Sequence, residues 1–199
     1  MRQARTLTNC GPIKVEREQY AHWRWYPKTT FSVKKLLTLS PLEKYPRNYW
    51  LAPDQKDGGE FVLSLDCERE VNWVELVNTH NGGHRDRATK ELKVFISLSL
   101  NGSWQEVLHT TLVDSRRHPD PLPVQTFRFK KSRAKFVKYQ QISKYGHGGG
   151  LQYFAVKQNA DAGNIGGCAT KKFQKGGYIW HHYRIMTRRQ ARDLPVQGE

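Results

Sequence analysis

Residues 91–107 read ELKVFISLSLNGSWQEV. Leu92, Val94, Ile96 and Leu98 alternate with Lys93, Phe95, Ser97 and Ser99, the period of two that a strand shows when one face is buried. Asn101-Gly102 separates this run from WQEVLHTTLV, and Asn-Gly between two apolar runs is the residue pair of a tight hairpin turn. The same period recurs on both sides. FVLSLD puts Phe61, Leu63 and Leu65 on one face, and VNWVELVN sets Trp73, Glu75 and Val77 against Val74 and Leu76. TFRFK sets Phe127 and Phe129 against Arg128 and Lys130, and AKFVKYQQIS and LQYFAVKQ close the series. Seven short strands joined by DQKDGG, HNGG, LNGS, HPDPLP and YGHGGG predict an all-β fold, an antiparallel sandwich of jelly-roll type. The prolines of HPDPLP exclude a helix there. SVKKLLTLSPLEKY has room for one or two helical turns before Pro41. The expected interior is Trp50, Leu63, Leu65, Leu92, Val94, Ile96 and Phe127.

A chain of 199 residues can bury such a core without a metal or a staple. Its 37% hydrophobic and 12% aromatic residues exclude a disordered composition. No apolar run approaches the roughly 18 residues of a membrane span. The net charge is +15 and lies mostly at the ends. Residues 1–47 carry ten Lys/Arg against three Asp/Glu, and residues 158–199 carry seven against three, so the flanks hold eleven of the fifteen charges. Aromatic rings are interleaved with them: Trp23 and Trp25 in HWRWYP, and Tyr178, Trp180 and Tyr183 beside Arg188 and Arg189. Basic segments with rings seek an acidic surface, and those residues are the candidate docking contacts.

The order of several pieces resembles the F5/8 type C (discoidin-like, galactose-binding-like) domain. They are NYWLA, GGEFVLSLDCEREVNWVELVNT, RATKELKVFISLSLNGSWQEV and AKFVKYQQISKYGHGGGLQYFAV, within residues 48–157. The resemblance implies an eight-stranded sandwich that binds glycans, anionic phospholipid or protein partners through loops at one end. It implies no catalysis, and some members are assembly modules inside cells, including ciliary complexes. Three departures stand out. SPLEKYPRNYW replaces the Asp-Gly turn tied to a calcium site in some members. Cys10 and Cys168 lie outside the usual edges, and the basic flanks belong to no part of the family domain. The domain division expected is a basic extension over 1–47, a sandwich over 48–157 and a second basic extension over 158–199.

Two loops are candidate ligand sites. THNGGHRDRATK offers His80, His84, Arg85 and Arg87; the arginines suit a carboxylate, sulfate or phosphate, or equally a tie to the loop's own backbone and Asp86. KYGHGGGLQYFAV offers Tyr145 and His147 among four glycines. It is either an anion-binding nest of amides or a wide turn that lets Tyr153 and Phe154 pack. It is no P-loop, since Leu151 opens a strand where a Lys-Ser/Thr would open a helix. Histidine spacings are too loose for zinc, and no G-x-S-x-G, H-E-x-x-H or Walker A motif occurs, so neither a metal, a cofactor nor an enzyme is expected.

MRQARTLTNCGPIKVERE at the N-terminus has charge but no apolar leader, and Cys10, Cys67 and Cys168 are an odd count. Both features favour reduced thiols in an intracellular protein of cytoplasm, cilium or mitochondrion. The other possibility is a Cys10–Cys168 bridge with Cys67 left over. Two functions remain open. One is an assembly subunit whose flanks dock on an acidic protein surface such as tubulin, or on RNA. The other is a lectin-like or anionic-lipid-binding module acting outside the cell.

Overall fold

The computed structural model describes residues 11–37, 49–54 and 58–158. By its internal contacts the chain divides into two units, Met1–Cys168 and Ala169–Glu199, and every described residue lies in the first. Nine strands are described: β1 (Lys14–Glu18), β2 (Trp50–Leu51), β3 (Glu60–Asn78), β4 (Arg87–Thr89), β5 (Glu91–Ser97), β6 (Gln105–Thr111), β7 (Val124–Gln141), β8 (Lys144–Gly146) and β9 (Gly150–Lys157). Short 3-10 turns cover Val33–Leu37, Gly82–His84 and Ser115–Arg117.

All named strand pairs are antiparallel. β3 and β7 are long because each serves both layers of the sandwich. The first half of β3 pairs with β1 and with the second half of β7, which continues through β5 to β6. The second half of β3 pairs with the first half of β7 and with β9, which continues to β2. Between Ser64 and Arg69 the register shifts, and Asp66 takes a left-handed φ of 66°. Extra residues on one strand bend a sheet. The alternating runs FVLSLD and VNWVELVN, read separately in sequence, are therefore one bent strand, as are TFRFK and AKFVKYQQIS.

The bend brings the two inner faces together around four rings. Phe61 stacks on Tyr139 with centroids 4.7 Å apart, and Trp50 and Phe154 each meet both rings edge-on. Such pairs add about 0.5–1.5 kcal/mol each beyond their buried area. Trp50, Leu63, Leu65, Leu92, Val94 and Ile96 are buried as expected, while Phe127 is partly buried against the same cluster. Trp50 Nε1–H donates to the Gln19 carbonyl at 2.8 Å, which satisfies the one polar atom of an otherwise apolar side chain.

The sandwich begins upstream of residue 48. β1 completes the edge beside β3, and Val33 and Leu36 join the main core. Glu18 ties the two segments, accepting from Ser32 Oγ at 2.8 Å and from Val33 N–H at 2.8 Å. Residues 11–37 are thus part of the fold, because their apolar side chains have a place in it. Cys67 is disulfide-bonded, with a partner outside the described residues. This corrects the expectation of reduced thiols and the alternative that left Cys67 unpaired. Tyr178, Trp180, Tyr183, Arg188 and Arg189 also lie outside the described residues.

Candidate functional site

Both ends of β3, the ends of β2, β6 and β7 and the start of β9 open at the same end of the sandwich. Their connections gather there: residues 19–31, 52–54, 58–59, 79–86, 112–123 and 142–149. Polar side chains fix these loops to one another. Asn78 is buried, and its Nδ2 donates to the carbonyls of Thr89 (2.8 Å) and Val113 (3.0 Å) while its Oδ1 accepts from the N–H of Thr79 and Thr89. Every bonding position of a buried amide is used, so the loops are held as a rigid unit.

Arg87 is the centre of this end. Its side chain is 8% exposed, and Nη2 pairs with Asp54 Oδ1. The guanidinium lies over the Trp23 ring, 4.9 Å from the centroid. Gly148 packs close against it, and a Cβ there would sit 2.4 Å from Nη1. Asp86 Oδ2 stands 3.9 Å from Nε, and Asp86 Oδ1 accepts from Asn81 Nδ2 at 2.8 Å. The buried Nε and Nη1 find no hydrogen-bond acceptor among the described residues. Arg87 thus orients Trp23, Asp54 and Asp86 around itself and is not itself open to solvent.

The exposed part of the site is aromatic. Tyr26 N–H donates to the Trp23 carbonyl at 3.0 Å, closing a turn with Arg24 and Trp25 at its corner. Trp23, Phe31, Tyr26 and Tyr49 form a ring cluster beneath it. Trp25 remains 70% exposed and Tyr26 47%. A depression of about 390 Å³ adjoins this turn, lined by Glu18, Gln19, Tyr20, His22 and Pro53. Among the described residues no group of three His, Cys, Asp or Glu is placed to hold a metal ion.

The residues singled out in sequence divide into inner and outer sets. His80 is buried, with Nε2 3.1 Å from Asp120 Oδ1, so it fastens two loops and presents nothing outward. Arg85 donates to the carbonyls of Arg116 (3.3 Å) and His118 (3.2 Å), which ties its loop to the neighbouring 112–123 loop and not to its own backbone. Tyr145 is partly buried, its hydroxyl donating to the Leu112 carbonyl at 3.1 Å. His84 is exposed, and His147 is 84% exposed, 3.8 Å from Asp86 Oδ2. Trp23 belongs to the sandwich and not to a docking flank; only Trp25 of that pair projects. Sequence reasoning missed Asp54, Asn81, Tyr20 and Tyr26. Asp54 stood in a segment read only as turn chemistry, and nothing in it points to Arg87.

The glycine loop is a packing device. A Cβ at Gly149 would lie 1.5 Å from Gln141 Oε1, and one at Gly150 would lie 2.4 Å from the Trp50 carbonyl oxygen. The N–H groups of His147 and Gly150 are already given to Asp86 O (2.8 Å) and Thr89 Oγ1 (3.2 Å). The nest reading loses two of its donors to these bonds.

Solved structures share this architecture. CpGH89CBM32-5 from Clostridium perfringens, in complex with GalNAc-beta-1,3-galactose, matches with a TM-score of 0.57 and 14% identity over 72% of this chain and 94% of that one. Chitosan-binding module 1 of a Paenibacillus chitosanase/glucanase matches with 0.53 and 16% over 76% and 97%. The C-terminal domain of a Bacteroides fragilis chitobiase matches with 0.57 and 11% over 76% and 94%. Identities this low are a likeness of fold, the galactose-binding-like β-sandwich. No family model matches this chain, and no curated protein sequence matches it.

Proposed function

We propose that this chain is a non-enzymatic glycan-binding module of the F5/8 type C kind, acting outside the cell. One observation carries the reading. At the loop end, the exposed Trp25 and Tyr26 stand on a turn anchored through Trp23 to the Arg87–Asp54 pair, with His147 and His84 on the neighbouring loops. A sugar offers an apolar C–H face and a rim of hydroxyls, and this surface offers a ring and a rim of polar groups. Two structures of similar fold carry glycan binding in their names, which supports the same reading. The disulfide at Cys67 supports an oxidising compartment. The assembly reading on tubulin or RNA has no comparable support. The flank residues it relied on lie outside the described residues, save Trp23 and Trp25.

Titration calorimetry with GalNAc-β-1,3-galactose and with chitosan oligosaccharide tests the proposal. Saturable binding to one of them is expected, weakened tenfold or more in Trp25→Ala with an unchanged melting temperature. Absence of binding to both, or equal affinity in Trp25→Ala, contradicts it.

A further inference from the structure

We propose that the bend of the β3–β7 hairpin, opposite the binding loops, is a second surface that takes sulfated or uronate-bearing glycan chains. β7 carries six Lys/Arg and no acidic residue over its 18 positions. Four of them, Lys130, Lys131, Arg133 and Lys135, cluster where the strand passes from one layer to the other, all exposed. Arg128 precedes them, and across the hairpin Arg69 is registered with Ala134, so its side chain lies on the other face of the ribbon from Arg133 and Lys135.

The acidic residues of the bend are already engaged. Glu70 pairs with Lys131 at 3.0 Å, Glu68 with Arg133, and Asp66 with Lys14 at 3.3 Å. No ion pair engages Arg128, Lys130 or Lys135 among the described residues; Arg128 lies over Trp73 and Lys135 over Phe136. Arg69 is partly buried with an Nε that finds no acceptor among the described residues, and desolvation pulls its pKa down. The exposed Lys130 and Lys135, in no ion pair among the described residues, are the cations that an anion brought from outside can neutralise. The exposed side chains of β7 at this bend are cations, so the surface offers charge. The Cys67 disulfide sits in the same bend and marks a setting where polyanions are glycans more than nucleic acids. That choice of partner rests on the proposed extracellular function, while the basic surface itself does not.

The test uses the full chain, heparin as the sulfated glycan, and the variant Lys130→Ser/Lys135→Ser, both positions being exposed and in no ion pair among the described residues. Unchanged melting temperature verifies the fold. Heparin affinity at 0.15 M salt is expected to fall fivefold or more, and the slope of log K against log salt to shrink by about one to two. Binding of GalNAc-β-1,3-galactose is expected to stay as in the parent chain. Loss of heparin binding in the variant supports the surface whether or not neutral sugars bind, so its fate is separate from that of the loop site. Undiminished heparin binding in the variant overturns it. Tighter binding of the parent chain to duplex DNA than to heparin overturns the glycan assignment.

Discussion

At the scale of residues, the glycines of the 146–150 loop show how a sequence feature can look functional and be structural. Each missing Cβ makes room for a neighbour that does the fastening: Arg87 at Gly148, Gln141 at Gly149, the Trp50 carbonyl at Gly150. Gly150→Ala meets backbone, which cannot swing aside. It is expected to cost about 1–3 kcal/mol, as overpacking does. Gly83→Ala has nothing within 4 Å and is expected to stay within about 0.5 kcal/mol of the parent. Chemical denaturation of both variants checks this, and equal midpoints would contradict the packing account. His84 and His147 were legible as loop residues because glycine and histidine cluster around them. Asp54 was not, since its importance comes from Arg87, 33 positions away, and a contact of that range leaves no local pattern.

At the scale of elements, alternation set Phe61, Leu63 and Leu65 of β3 and Leu92, Val94 and Ile96 of β5 inward, as they are; Leu98, expected inward with them, is 53% exposed past the end of β5, and Phe127 of β7 is only partly buried. Alternation missed β2, β4 and β8, which are two or three residues long and too short to show a period. It also missed β1, whose KVERE offers one apolar residue, and it split β3 and β7 at the bend, where the period breaks. The stacked rings between the layers make a further expectation. Burial pushes the Tyr139 phenol above its usual range, and burial with the Glu75 charge pushes Tyr153 to about 12. Both phenols ionise near pH 10 in the unfolded chain, so between pH 10 and 12 the folded chain holds more protons. Stability is then full below pH 10 and falls as pH rises above it. Denaturation midpoints at pH 9 and pH 11.5 measure the loss, which Tyr139→Phe is expected to reduce. An undiminished loss in that variant would remove Tyr139 from the account.

For the whole molecule, the fold class was readable from seven strand-like runs and their turns, but the domain edges were not. Charge marked residues 1–47 as an extension, whereas Val33, Leu36 and Phe31 are buried in the sandwich. Net charge reports on partners and solubility and says little about which residues pack. Cysteine count misled in the same way, since parity alone does not say which thiol pairs. With three cysteines and Cys67 bonded within the chain, thiol titration in denaturant without reductant is expected to read one thiol per chain; three would contradict the bond. The central claim concerns the loop end, and residue-by-residue NMR shift mapping tests it most directly. On titration with GalNAc-β-1,3-galactose or chitosan oligosaccharide, saturable shifts are expected at the indole N–H of Trp25, at Tyr26 and at His147, with the bend at Lys130–Lys135 silent. Shifts confined to the bend or the sheet faces, or no saturable shift with either sugar, would contradict a glycan site on the Trp23–Tyr26 turn.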